Sequence, residues 1–448
     1  MRKLFLMLAV SGAFFVSNAA MTGDIVSTTI INTNLSWRIT EQGELIVEGS
    51  GGIPTYTKTG DGSNAPWYAY QSQIKSVSIS ENITSIGNYA FRGLTQSEEV
   101  SLPSTLTSIG QTAFENNTNL KSATIPNMVS SMGKYAFKDA TNLTSLTIGS
   151  GLTTIPEEAF YGASSLVNLT INEGITNIDK HAFENATSLE TLKLPDSLHS
   201  IGEGVFSRAT SLTSIDFGGV TEIGNKSFAY NFALTSLSIP DTVQTIGDGT
   251  FVNATGLKEL VLGDGLTSLG ESSFSIDNSR NTSGTPYTSQ LEKITIGKNL
   301  VSIGSNCFKD APIKEVTIDA LGSDANYDAI LGLLKNWSAD IKVNCLGGDT
   351  CSAKMEDAIN RSSACNNPTS STCTNLKNKL AGMLANGEVN VSKTPAVDQS
   401  ETQTGGMGGG SIEASGNIIE RRDRRIYTVA EATRVARKGG NTVKIRYR

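Results

Sequence analysis

The chain has 448 residues, with 36 Lys and Arg against 43 Asp and Glu, 44 Gly, five Cys and two His. At 38% hydrophobic and 18% charged it is neither a multi-pass membrane protein nor a strongly charged disordered chain, yet 6% aromatic residues is thin for an ordinary globular core. Two histidines leave little for His-based catalysis or a multi-His metal site, and a pI near 5.2 excludes bulk nucleic-acid binding.

Residues 1–20 carry Arg2 and Lys3, an apolar run from Leu4 to Val16, and small residues up to Ala20. This is the order of a secretory signal, with cleavage expected after Ala19 and no Cys there to carry a lipid. The run is short of the ~20 residues of a spanning helix, which sets aside the alternative of an uncleaved anchor. The mature chain is therefore expected to be exported.

Phenylalanine then recurs at 91, 114, 137, 160, 183, 206, 228, 251, 274 and 308. The interval is 23 residues, except for 22 before Phe228 and 34 before Phe308. A fixed period in this range means a solenoid. One unit runs from Leu143 to Ser165; Leu146-Thr147-Ile148 alternates as a strand, and Leu152 and Ile155 mark a second short extended segment. A glycine column follows at 87, 110, 133, 202, 224, 247, 270 and 304, broken only by Pro156 and Asp179. It calls for positive φ or for close approach to a neighbour, and Pro156 favours close approach. A column of small residues precedes each Phe, so Cys307 reads as a small core residue. No such coil closes a core alone, and stacking supplies the missing wall.

Between the buried strand residues, outward positions form two columns. One includes Thr124, Thr147, Thr170, Lys193 and Asp216; the other includes Asn168, Thr191 and Glu259. This hydroxyl-rich sheet face is the expected partner site, because solenoids recognise ligands through extended surfaces. Lys193, Asp216 and Glu259 argue against a regular Thr lattice for ice or a crystalline glycan. Asp277 to Gln290 is a polar insertion, a tolerated bulge or a binding loop, and Tyr287 is its leading candidate contact. His181 and His199 fall at outward, solvated positions. No nucleophile elbow, phosphate loop, zinc-protease helix or suggestive carboxylate pair occurs, so neither enzyme activity nor a cofactor is expected.

After Val316 and Ile318, the inward pair of the last expected strand, Tyr327 to Trp337 has helical spacing, as do Cys351 to Asn360 and Thr374 to Leu384. Cys345, Cys351, Cys365 and Cys373 cluster here at spacings that do not match a zinc ribbon. Of three possible pairings, 345–351 with 365–373 is the one expected in an oxidising compartment. Residues 387–418, with their glycine run, read as a flexible linker. Residues 419–448 carry a net +7, led by Arg421, Arg422, Arg424 and Arg425. They include a helix-like Val429 to Arg437 and a terminal alternation from Thr442. They read as a docking or sorting element for an export or envelope machine, or as a solvated basic tail.

The repeats resemble the BspA-like class of leucine-rich repeats. The pattern L-x-x-L-x-I-P-x-x-L-x-x-I-G-x-x-A-F appears here from Leu234 through Ile239-Pro240 and Ile246-Gly247 to Phe251. Trp37, Gly43, Leu45, Val47, Gly49, Gly51, Pro54, Tyr56 and Pro66-Trp67 resemble that family's N-terminal cap. The resemblance implies a secreted or cell-surface protein binding a protein or glycan on a host, a matrix or a neighbouring cell, with no catalytic residue to carry over. The alternative is an envelope spacer that presents the basic tail. The expected fold is thus a β-rich solenoid with two short strands per ~23-residue coil. Its parts are a signal at 1–20, a β cap at 21–73, the solenoid at 74–320, a disulfide-stapled helical cap at 321–386, the linker and the tail.

Overall fold

The structure, a computed structural model, describes residues 24–386 apart from 33, 61, 280, 283, 320–322, 335–336, 338–339 and 347–348, and three short strands farther on. The signal at 1–20, most of the linker and the four tail arginines lie outside the described residues.

Each coil makes two strands, as the alternation predicts. The longer strands, such as Ser122–Ile125, Ser145–Ile148 and Asn168–Ile171, pair in parallel with each residue opposite the one 23 later: Thr124 faces Thr147, which faces Thr170. The sequence period is therefore the ladder register, and a slip by one residue would turn every buried Leu and Ile to solvent. The second ladder pairs short segments such as Thr154–Ile155, Asn177–Ile178 and Ser200–Ile201. The sheet-face ladder breaks into segments beside Thr191–Lys193 and Ser214–Asp216. Here the short coil replaces an aliphatic residue with Phe217, which packs edge-on against Phe228 at 5.8 Å.

The third side of the coil has no strand. Its ten Phe rings stack with successive centroids 4.8–5.5 Å apart and planes within 18°. Trp67 extends the stack on Phe91 at 5.2 Å, and Trp337 meets Phe308 edge-on at 6.0 Å. The backbone beside the rings is bonded in one direction only. Tyr135 N donates to Glu157 O, Phe137 N to Ala159 O and Asp139 N to Tyr161 O, and the same three-fold link recurs from coil to coil. Two left-handed residues per coil make this possible. One column is Tyr89, Thr112, Tyr135, Glu158, His181, Lys226, Ser272 and Asn306, with glycine at 204 and 249; the other includes Asn116, Asp139, Asn185, Arg208, Tyr230 and Asn253. The glycine column is not among them. Its role is close approach: a Cβ on Gly133 would lie 2.3 Å from Gln111 N, and one on Gly270 2.3 Å from Gly247 C.

The N-terminal cap is an antiparallel sheet of β1 (Asp24–Asn32), β2 (Leu35–Thr40) and β3 (Glu44–Gly49), with β3 leading the solenoid ladder. It supplies donors to the first coil, whose carbonyls face it: Trp67 Nε1 donates to Ala90 O and Tyr56 N to Asn88 O. Arg92, 2% exposed, clasps Glu115 at 2.9 Å and donates to Gly62 O at 3.0 Å.

At the other end α1 (Asp324–Leu334) buries Tyr327, Ile330, Leu331 and Leu334, and Asn326 Nδ2 donates to Leu300 O and Gly297 O. Helices α2 (Asp349–Arg361) and α3 (Ser371–Asn386) complete the cap. Disulfides join Cys345 to Cys351 and Cys365 to Cys373. One expectation is corrected: the ladder does not end at Val316 and Ile318. A further strand, Lys342–Leu346, pairs in parallel beyond them and carries Cys345. Its Val343–Cys345 alternation is too brief to stand out after a helix. Separately, Glu413–Ser415, Ile418–Glu420 and Ile426–Thr428 form an antiparallel sheet of their own.

Candidate binding surface

Many hydroxyls of this chain serve to join the coils. On one corner Thr141 donates to Thr118 O, Ser164 to Thr141 O, Thr187 to Ser164 O and Thr210 to Thr187 O, and beside the second ladder Thr107 donates to Thr84 O and Thr176 to Thr153 O, each to the carbonyl of the preceding coil. On the sheet face Thr124, Thr147 and Thr170 alternate with inward apolar residues and Thr191 precedes buried Leu192; Thr147 is half-buried and the other three are exposed, and none of the four hydroxyls is hydrogen-bonded within the described residues. Asn168 is exposed in the adjacent column. Lys193 stands opposite Asp216, and Glu259 opposite Lys293 with an ion pair at 3.4 Å. The middle of the face, from Ser122 to Thr191, is thus neutral and hydroxyl-rich, and charge flanks it at Glu99 on one side and from Lys193 onward on the other.

Beside the face runs an open polar groove lined by Glu98, Asn119, Lys121, Asn142, Thr144 and Ser165. It holds the Lys121–Glu98 ion pair and a hydrogen bond from Asn142 Nδ2 to Asn119 Oδ1, groups that already satisfy one another. On another flank Glu157 bridges Lys134 and Lys180. The Lys134 ammonium hydrogen-bonded to it, and then Lys180, hold its carboxyl below the ordinary range against a smaller upward push from burial. This is an exposed charge ladder that ties three coils together.

The single cysteine outside the disulfides, Cys307, is buried in the small-residue column, and burial pushes its thiol up to about 12. His199 is exposed. His181 corrects its expected solvated position: it is half-buried in a left-handed turn, with Nδ1 2.7 Å from Glu184 Oε2 but poorly aligned for a hydrogen bond. Among the described residues no group of three or more His, Cys, Asp or Glu is placed to hold a metal, and no helix is long and apolar enough to cross a membrane.

Tyr287 sits in the insertion, not on the strands. Its ring lies 5.5 Å from Phe232 and 6.4 Å from Tyr230, while the Arg208 guanidinium lies 4.6 Å over Tyr230. These three companions were not singled out from the sequence. The signal was there, since Tyr230 and Phe232 replace the Asp, Gly, Asn, Ser and Thr of their columns.

The family model described as BspA type Leucine rich repeat region matches in six copies, over residues 66–190, 178–284 and 221–330. No curated protein matches the chain significantly. Among solved structures the chain is similar to a leucine-rich repeat protein from Bacteroides ovatus ATCC 8483, at 18% identity over 71% of this chain and 99% of that one, with a TM-score of 0.39. It is also similar to a leucine rich cell surface protein from Faecalibacterium prausnitzii A2-165, at 17% identity over 76% and 98%, TM-score 0.37. The pneumococcal vaccine antigen PcpA is similar at 18% over 76% and 97%, TM-score 0.33. At this distance the likeness is one of repeat type, and what those proteins bind stays with them.

Proposed function

The chain belongs to the BspA type leucine rich repeat family, whose repeats it keeps across residues 66–330, and from that premise we propose that it is an exported protein, secreted or held at the cell surface, that acts in adhesion by binding a partner through its sheet face. Solenoids of this kind present extended surfaces suited to binding. The observation that supports the reading is the division among the hydroxyls. Many of those on one corner and on the second ladder are engaged between coils, while Thr124, Thr147 and Thr170 are left outward in register and Thr191 outward in the neighbouring column. Rows of donors and acceptors at strand spacing, roughly 4.8 Å, suit a partner that offers its own polar groups in series: a protein or a glycan on a host, a matrix or another cell. Lys193, Asp216, Asn168 and Glu259 then set charge and register along the contact. The basic element around Arg421, Arg422, Arg424 and Arg425 is proposed to engage export or envelope machinery.

The test immobilises the mature chain and a variant with Thr124→Lys, Thr147→Lys and Thr170→Lys, and passes matrix proteins, glycans and envelope fractions over both. A partner retained by the first and lost by the second, with the variant still cooperatively folded, is the expected result. Retention indifferent to the substitutions would remove the sheet face as the site of contact, and no retention at all would leave the coils as a spacer. For the tail, deleting 419–448 should alter display or release, and unaltered fractionation would remove the docking role.

A further inference from the structure

Departures from the repeat gather at one corner beside the sheet face. Tyr230 stands where other coils have Asp139, Gly162, Asn185 or Asn253, and Phe232 where Thr141, Ser164, Thr187 and Thr210 occur. Phe232 carries no hydroxyl, so the ladder that passes from Thr141 to Thr210 stops there. Between Tyr230 and Phe232 in sequence, Asn231 is fully buried with neither amide atom paired among the described residues, in a column that is alanine at 140, 163, 186, 209 and 254; the column's other asparagine, Asn117, accepts from Leu94 N. A broken ladder, half-exposed rings and a buried orphan amide each cost stability, and local rules are broken together where something other than stability is served.

The insertion completes this corner and is held in place. Asn278 brackets Tyr287, its Oδ1 accepting from Tyr287 N at 2.7 Å and its Nδ2 donating to Tyr287 O at 3.2 Å. The base of the loop is fixed by Asn253, whose side chain accepts from Asp277 N and donates to Asp277 O. Arg208 is exposed, lies over Tyr230 and has no carboxylate partner among the described residues.

We propose that Arg208, Tyr230, Phe232 and Tyr287 form a protein-docking hot spot that takes a partner segment carrying a carboxylate beside an apolar side chain; it rests on the reading of the chain as a binding protein but not on the sheet face. Tyr and Arg are the residue types that concentrate binding energy in protein interfaces, and an uncompensated guanidinium calls for an acid. The surrounding Asn, Ser, Thr and Gly are the adaptable partners that accompany such anchors in recognition loops. A stacked saccharide is less well served. Arg208 covers one face of Tyr230, and the rings stand at 84°, 71° and 33° to one another instead of forming an open platform.

The probe is a displayed library of short random peptides selected on the mature full-length chain. The selected peptides are then measured on Arg208→Gln, Tyr287→Ala and the triple sheet-face variant. Peptides sharing Asp or Glu next to an apolar residue are expected, with binding at least about tenfold weaker on each of the first two variants and unchanged on the third. Converting the peptide acid to its amide should cost a similar factor on the parent chain and little more on Arg208→Gln. Absence of an enriched acidic motif, or equal binding by Arg208→Gln, would overturn the proposal. So would retention of uronic-acid oligosaccharides lost with the same two substitutions. Loss on the triple variant alone would return binding to the sheet face.

Discussion

Replacing Phe160 by alanine tests the stack most directly. The side chain is fully buried, with its ring 5.5 Å from Phe137 and 5.3 Å from Phe183. Removing it forfeits roughly 2–3 kcal/mol of transfer free energy. Two stacked contacts add about 0.5–1.5 kcal/mol each. The backbone is tied on all three sides and cannot collapse into the space, so a loss of about 3–5 kcal/mol is expected. In urea, with a slope of about 3 kcal/mol per molar for a domain of this size, the midpoint should fall by about 1–1.7 M. Because each coil touches only its neighbours, amide exchange should accelerate most in the coils of Phe137, Phe160 and Phe183 and least toward Phe308. An unchanged midpoint would refute the claim that the rings hold the coils together.

Three further outcomes follow from particular residues. Lys226 is exposed at φ 53°, where an L-residue carries strain, so Lys226→Gly should raise stability by about 0.5–1 kcal/mol despite the looser unfolded chain; a lower melting temperature would count against this. Cys307, its thiol raised from 9.0 to about 12 by burial, should resist alkylation at pH 8 until the chain unfolds. The sign of its linkage is set by the raised value: the folded state keeps the proton longer, so this contribution is whole below pH 9 and disappears as pH rises toward 12, which unfolding at stepped pH would detect. Reducing Cys345–Cys351 and Cys365–Cys373, which span 6 and 8 residues, should cost about 2 kcal/mol apiece. Exchange protection should fall in α2 and α3 while the central coils stay protected.

Much of the solenoid was legible because one periodic signal fixes strand, register and ring position together: Thr124, Thr147 and Thr170 are 23 apart in sequence and opposite one another in space. Gly133 and Gly270 were read correctly as close approaches, since Pro156 in the same column forbids a left-handed alternative. The left-handed columns themselves were hidden. Tyr135, Glu158, His181 and Lys226 adopt positive φ because three inter-coil hydrogen bonds impose it, and nothing in their side chains announces it. The outward set of the sheet face followed from alternation alone. The Tyr230–Phe232–Tyr287 corner did not, because residues 55 or more apart meet there only through an insertion that breaks the period.

The one-way amide links on the ring side give the stack a grammar. From the coil of Phe114 to that of Phe251 each hands three N–H groups to the next and accepts three from the one before, so copying or deleting a whole coil there leaves each donor with an acceptor, whereas cutting one open strands three at once. Gene duplication in units of the repeat is thereby thermodynamically neutral at the junction. The two termini cannot be exchanged for each other, because one must offer protons, as Trp67 and Tyr56 do, and the other must receive them.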